Sequence, residues 1–249
     1  MTYWVNAKVV KITRWTKRLF KIILHAPITP FLAGQFAKIA IKISEKKYIK
    51  RVYSYVNAPH DKNLEFVITL IPNGIMSNKL YHLTIGEEIL ISKEASGFFT
   101  MQEIPTCQIL WMMATGTAIG PFCSILQDGT GLEKFKKIIL IYAVKYATEL
   151  VYLPLINKIK KRYQNKLIIQ TITSQEKNIN SLTGRIPKLL CNNILEQNIG
   201  YNICPKTSHV MLCGNPDMVK ETQSILIQKF NLKKHLRRMP GHISSENYW

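Results

Sequence analysis

The sequence predicts two domains: an antiparallel six-stranded β-barrel over residues 1–101, then an α/β domain with a parallel sheet over 102–249. Three observations carry this prediction. Short runs rich in Val, Ile, Phe and Tyr fill the first hundred residues and are separated by turn signals. Beyond residue 105, continuous apolar runs alternate with helical stretches, the pattern of a parallel sheet covered on both faces. The change of rhythm falls between residues 98 and 105, without a repeat or a low-complexity linker.

In the first part the expected strands are Ala7–Ile12, Leu19–Leu24, Phe36–Ile43, Arg51–Val56, Leu64–Leu70 and Glu88–Ser92. Pro27, Pro30, Gly34, Asn57–Pro59 and Pro72-Asn73-Gly74 mark the turns, and only Ser77–His82 reads as helix. Six short strands at this spacing suggest a closed or nearly closed barrel. In the second part the expected strands are Ile109–Ala114, Lys137–Ala143, Leu167–Thr173 and His209–Cys213. Helices are expected over Thr117–Leu126, Glu149–Tyr163, Arg185–Glu196 and Asp217–Phe230.

Composition narrows the class. With 249 residues the chain is long enough for a core without staples, and 47% hydrophobic against 20% charged residues excludes a disordered protein. Its 12 Gly and 11 Pro exclude a collagen-like one. The five cysteines, at 107, 123, 191, 204 and 213, are odd in number and lack C-x-x-C spacing. That argues against a disulfide framework or a metal site and for a reducing cytoplasm. Residues 1–6 lack a basic segment followed by an apolar one, so no signal peptide is expected. Ile104–Gln127 runs 24 residues without a charge, which is membrane-spanning length. Pro105, Gly116, Gly120 and Pro121 break it, with Gln108, Thr115, Thr117 and Ser124 between them. A strand, a turn and a helix start fit better than a stable membrane insertion, where such a turn would leave backbone groups unpaired.

Several motifs carry chemistry. Ala114-Thr115-Gly116-Thr117-Ala118-Ile119-Gly120-Pro121 is a glycine-rich strand-to-helix turn. Its free N–H groups and the helix dipole suit a pyrophosphate, although a tight turn needing Gly would look the same. In Arg51-Val52-Tyr53-Ser54, alternation puts Arg51 and Tyr53 on one side of a strand and Ser54 on the other. Arg51 offers a fork for phosphates and Tyr53 a flat ring; read alone, this is also an ordinary surface strand. Gly74-Ile75-Met76-Ser77 places amides and a hydroxyl at a helix start, as a phosphate site or a simple cap. Cys213-Gly214-Asn215-Pro216 follows an apolar strand and precedes a helix, where open α/β sheets bind ligands. Cys213 itself reads more readily as a buried small hydrophobe than as a reactive thiol. The chain ends in Glu246-Asn247-Tyr248-Trp249, and two terminal aromatics imply a tail that docks.

Together these motifs, in this order and spacing, resemble the bacterial-type ferredoxin/flavodoxin–NADP reductases over the whole chain. The resemblance implies an FAD-binding barrel and an NADP-binding α/β domain. It implies electron transfer between NADPH and flavodoxin or ferredoxin through FAD, by hydride transfer to flavin N5 and then one-electron steps. By the same resemblance, Arg51 pairs with the FAD pyrophosphate, Tyr53 stacks on the isoalloxazine and Ser54 bonds near N5, with Val52 between them. Val67, Ile68, Thr69 and Leu70 line the cofactor, and Ile75, Met76 and Ser77 hold its phosphates. Thr117 sits where the domains meet, and Tyr248 and Trp249 cover the FAD rings in an order left open. Cys213, Gly214, Asn215, Pro216 and Asp217 face the nicotinamide side, and Glu246 is a candidate proton-relay carboxylate. The catalytic set is thus Ser54, Cys213 and Glu246, with no metal.

The adenosine end departs from the family pattern. Val144, Lys145, Ser174, Gln175 and Arg185 stand where the 2′-phosphate of NADP is expected, and family members often carry arginines at the positions of Lys145, Gln175 and Arg185. Here only Arg185 keeps the guanidinium, which implies a preference for NADPH weaker than an all-arginine site gives. Two other functions stay open at this stage: a reductase of free flavins or another acceptor on the same scaffold, and a basic nucleic-acid-binding protein without redox activity. The net charge of +19 admits the second, with clusters at Lys158, Lys160, Lys161 and Arg162 and at Lys233, Lys234, His235, Arg237 and Arg238. No helix-turn-helix, zinc finger or aromatic-basic RNA signature accompanies them. Acidic electron carriers steered to a basic surface, or compositional drift towards Lys, Ile and Asn, account for the charge as well.

Overall fold

The computed structural model describes residues 2–45 and 47–248; Trp249, expected to cover a flavin ring, lies outside the described residues. The chain forms two compact units, one of residues 1–100 with 120–128 and one of residues 101–119 with 129–249.

The first unit is a six-stranded antiparallel sheet. Its strands are β1 (Trp4–Arg14), β2 (Leu19–His25), β3 (Phe36–Ser44), β4 (Lys47–Ser54), β5 (Leu64–Thr69) and β6 (Glu88–Ser92). They lie in the order β4-β3-β6-β1-β2-β5. Alternation explains the curl: Phe20, Ile22 and Leu24 of β2 are fully buried, and the residues between them are only half-buried. With Ile39, Tyr55, Phe66 and Ile91 they fill the interior. The two outer strands approach each other where Val56 N–H donates to Glu65 O at 2.9 Å, so the sheet nearly closes. Helix α1 (Ile75–Tyr81) joins β5 to β6. Helix α2 (Gly120–Asp128) also packs in this unit, although it comes later in the chain. Ser124 Oγ donates to Asn57 O and Gln127 Nε2 to Val56 O, both at 2.7 Å, and these bonds tie it down.

The second unit is a six-stranded parallel sheet. Its strands are β7 (Ile109–Thr115), β8 (Lys137–Val144), β9 (Leu167–Thr173), β10 (Ser181–Thr183), β11 (Ser208–Gly214) and β12 (Ile243–Asn247). The order is β10-β9-β8-β7-β11-β12. The central strands β7, β8 and β11 are apolar and buried almost throughout, because the unit covers both faces. Its helices are α3 (Leu153–Tyr163), α4 (Ile186–Cys191), α5 (Ile194–Ile199) and α6 (Pro216–Phe230).

Four elements differ from expectation. The two edge strands, β10 and β12, are short and polar, so they carry no apolar run to announce them. The single helix expected over 185–196 is two, because Asn193 takes a left-handed φ of 60° between them. Lys229 Nζ of α6 stabilises that break by donating to Leu190 O at 3.1 Å and Asn193 Oδ1 at 2.6 Å. The helix expected from Glu149 starts at Leu153, with Pro154 in its first turn, where a missing N–H does no harm. No described helix is long and apolar enough to cross a membrane. All five cysteines are free, and no described cluster could hold a metal ion.

Candidate active site

In the barrel unit, β4 presents the R-V-Y-S motif. Arg51 and Val52 are exposed, Tyr53 is half-buried and Ser54 is buried. The Arg51 guanidinium spends Nη1–H on Lys50 O at 2.8 Å, which leaves the rest of its fork for a ligand. Burial pushes the Tyr53 phenol well above its usual range, against the opposing pull of Arg51, so the ring stays neutral. Val67 and Ile68 on β5 are buried, while Thr69 and Leu70 at its end are half-buried. At the start of α1, Ile75 is exposed, and Met76 and Ser77 are buried. Gly74 is the cap residue and supplies no side chain; a Cβ there would stand 2.9 Å from Ser77 Oγ. Ser77 Oγ is instead turned back onto the preceding loop, accepting from Ile71 N–H at 3.1 Å.

The second unit gathers its motifs at the carboxyl ends of its parallel strands. The turn after β7 has Gly116 at φ 56°, followed by the buried Thr117. Beside it, Gly214 ends β11 at φ 155°, and a Cβ there would lie 2.0 Å from Thr115 Oγ1. Asn215 N–H donates to that same Thr115 Oγ1 at 3.1 Å. Asn215 Oδ1 then caps α6 by accepting from Asp217 N–H at 2.9 Å and Met218 N–H at 3.3 Å, with Pro216 at the first helical position. Sequence reasoning did not single out Thr115; its place in the glycine-rich turn was the available signal. Gly214→Ala should destabilise the protein by about 3 kcal/mol through steric conflict and strain, lowering Tm by roughly 6–12 °C. An unchanged melting curve would refute that reading of the turn.

The tail meets this turn directly. Strand β12 pairs with β11 so that Glu246 is the partner of Cys213 and Asn247 that of Gly214, and Tyr248 N–H donates to Gly214 O at 2.8 Å. Cys213 is fully enclosed, and burial with the Glu246 carboxylate beside it raises its thiol pKa well above the usual value. Glu246 Oε2 is buried without a hydrogen-bond partner among the described residues, and burial pushes the carboxyl up to about 7. A buried oxygen without a protein partner is where a ligand group belongs.

At the other edge, the loops after β8 and β9 are stitched together. Ser174 N–H donates to Val144 O and Gln175 N–H to Lys145 O, both at 3.0 Å. Two carboxylates missed in the sequence brace these loops: Glu149 Oε2 accepts from Lys145 N–H at 3.0 Å, and Glu176 accepts from Ala147 N–H. In the sequence Glu149 reads only as a helix start. Lys145, Gln175 and Arg185 are all exposed, Arg185 at the cap of α4. The donor set therefore suits both groups expected of it. The barrel unit offers a free guanidinium fork, a neutral ring and an uncapped helix start. The α/β unit offers glycine turns, an unpartnered carboxyl and two exposed cations.

Residues 7–98 match the oxidoreductase FAD-binding domain family and residues 112–224 the oxidoreductase NAD-binding domain family. The chain is 55% identical to a flavodoxin/ferredoxin–NADP reductase of Buchnera aphidicola subsp. Baizongia pistaciae, over 100% of both chains. It is 49% identical to the flavodoxin/ferredoxin–NADP reductase of Escherichia coli K12, again over 100% of both. Among solved structures, a ferredoxin NADP+ reductase from Neisseria gonorrhoeae with bound FAD and NADP superposes with a TM-score of 0.93. That pair is 31% identical, with 99% of each chain covered.

Proposed function

The chain belongs to the flavodoxin/ferredoxin–NADP reductases, and on that premise we propose how its residues divide the work. The protein is an FAD-dependent oxidoreductase that passes electrons between NADPH and flavodoxin or ferredoxin. When bound, the cofactors supply the redox chemistry, a hydride moving between nicotinamide C4 and flavin N5 and single electrons moving on to the carrier.

The protein's part is grip, orientation and proton control. Arg51 clamps the FAD pyrophosphate with its free fork, and the first-turn amides of Ile75, Met76 and Ser77 take the remaining phosphate oxygens. Tyr53 would offer its neutral ring to the isoalloxazine and Ser54 its hydroxyl as a hydrogen-bond partner for the ring. Val52 and the run Val67, Ile68, Thr69 and Leu70 form the apolar wall. Thr117 and Tyr248 would serve to shield the flavin from water when it is bound. The turn of Gly214, Asn215, Pro216 and Asp217 lets the nicotinamide approach closely, over a floor made by the protonated Cys213 thiol. Glu246, with its carboxyl raised to about 7, is poised to hold or release a proton near neutral pH. The observation that supports this assignment most is that orphaned, buried oxygen on the rung of Cys213.

Val144, Lys145, Ser174, Gln175 and Arg185 hold the adenosine end, with Lys145 and Arg185 as the cations for the 2′-phosphate. Gln175→Arg should raise the ratio of kcat/KM for NADPH over NADH roughly tenfold, the worth of one added charge-assisted hydrogen bond. A wild-type enzyme that favours NADH would contradict the assignment. The five free thiols support a cytoplasmic place for the protein. The +19 charge supports electrostatic docking of an acidic carrier. The test is NADPH oxidation with flavodoxin, ferredoxin or free flavin as acceptor. Faster reduction of a carrier protein, slowing as salt is added, is expected. Preference for free flavin would favour the other-acceptor reductase, and a colourless protein that takes up no FAD would overturn the enzyme reading.

A further inference from the structure

Strand β12 is a five-residue edge strand in which only Ile243 is fully buried. Apolar burial alone does not hold such a strand. The chain reaches it through residues 233–242, folded as a tight hairpin in which Leu236 N–H donates to Met239 O at 3.0 Å and Met239 N–H returns to Leu236 O at 2.8 Å. His235 N–H donates to Ile243 O at 2.8 Å, and His242 N–H to Lys233 O at 2.7 Å. Two imidazoles staple the same hairpin: Lys233 N–H donates to His242 Nδ1 at 3.1 Å and Gly241 N–H to His235 Nδ1 at 3.2 Å. A third, His209 of β11, is 1% exposed and lies edge-on to His235 with ring centroids 5.6 Å apart. Its Nε2 shares a hydrogen bond of 3.0 Å with Ser244 Oγ of β12.

A ring nitrogen that accepts from an N–H must be bare, so His235 and His242 carry their proton on Nε2 and are uncharged. His235 Nε2 is buried and has no partner among the described residues, so no carboxylate waits there to receive a charge. The groups facing His209 are His235, His242 and Lys134, with the Cys107 thiol near its backbone. The hairpin adds the exposed Lys233, Lys234, Arg237 and Arg238. Glu103 is the acid beside the hairpin, and Arg237 Nε already holds it at 3.3 Å. We infer that His209, His235 and His242 form a clasp that positions the terminal strand, and that it closes only while the buried His209 imidazole is neutral.

The direction with pH follows from where the proton binds. Burial, with the Lys134 ammonium nearby, holds His209 down at about 3 in the closed state, against a backbone hydrogen bond at Gly241 that pulls it up. An opened strand lets it return to its ordinary value near 6.5, so opening gains as pH falls below that value and is flat above it. One such histidine changes the opening equilibrium about tenfold between pH 7.5 and 5.5. Ser244 and Glu246 lie on one face of β12, two residues apart, so an opened clasp would withdraw Glu246 as well. That last consequence rests on the role proposed for Glu246; the clasp does not.

Hydrogen exchange of the FAD-loaded enzyme, read by mass spectrometry and corrected for intrinsic rates, tests the clasp without reference to catalysis. Protection of residues 233–248 should fall about tenfold from pH 7.5 to 5.5, while residues 137–144 of β8 hold constant. His242→Asn offers an acceptor near the Nδ1 position, and His209→Gln a polar group near Nε2, neither of which titrates. Both should keep protection at pH 7.5; His209→Gln should flatten the fall and His242→Asn should retain it, whereas His242→Ala should lose protection at both values. Wild-type protection that ignores pH, or a fall that persists undiminished in His209→Gln, overturns the inference. If His209→Gln does not fold, Ser244→Ala, which removes the partner of His209 Nε2 on the strand, should lower protection at pH 7.5, and unchanged protection there overturns the inference.

Discussion

Glu246→Gln should make the protein more stable at pH 8 and slower as an enzyme. The folded carboxyl is pushed up to about 7 from its usual 4.5, because burial disfavours its charge, and no described residue bonds Oε2. A group raised in this way adds no penalty below the unfolded value, and stability is lost as pH climbs towards the folded one. Above pH 7 the native state therefore carries a carboxylate that the unfolded chain would hold more comfortably. The glutamine keeps the shape and cannot ionise, so it should recover up to roughly 3 kcal/mol at pH 8. Melting curves of the two proteins should converge near pH 4 and separate by several degrees at pH 8. Hydride transfer, followed by stopped flow, should fall roughly a hundredfold if the proton on Oε2 takes part. Superimposable melting curves at pH 8 would remove the electrostatic argument, and an unchanged hydride rate would remove the catalytic one.

Arg51→Glu should abolish tight FAD binding and leave the apoprotein's fold intact. The side chain is exposed, and its protein partner among the described hydrogen bonds is the neighbouring Lys50 carbonyl. A surface substitution of that kind changes folding stability by about half a kcal/mol or less. The ligand loses charge-assisted bonds to its pyrophosphate and meets a like charge, together on the order of 4 kcal/mol or about a thousandfold in Kd. Titrating apoprotein with FAD by flavin fluorescence measures this, with the apoprotein Tm as the control. Wild-type affinity in the variant would mean that the R-V-Y-S strand is a plain surface strand, the reading the sequence left open.

The comparison between sequence and structure is clearest at the tail. Two terminal aromatics imply a docked tail; what the structure describes of it is that residues 243–247 form a sixth parallel strand whose hydrogen bonds carry Glu246 to the side of Cys213. No periodicity in Ile-Ser-Ser-Glu-Asn could announce that, because an edge strand is specified by its partner and not by its own apolar pattern. The break at Asn192-Asn193 was hidden for a similar reason. A lysine on a distant helix satisfies the carbonyls there, and local propensity contains no record of it.

The order of residues by itself determined the two-part architecture, the central strands, the glycine turns and the family. Those signals are local: a period of two or of unbroken burial, a Gly or Pro at a fixed offset, a fork and a ring two positions apart on one strand. Only the tertiary structure decided that α2 packs with the barrel, that Thr115 governs the space above Gly214, that Glu246 keeps an unpartnered oxygen, and that three histidines meet behind the last strand. Each of these depends on groups far apart in the chain being brought within a few ångströms. Burial, register and the energy of an unmatched charge exist only once that has happened.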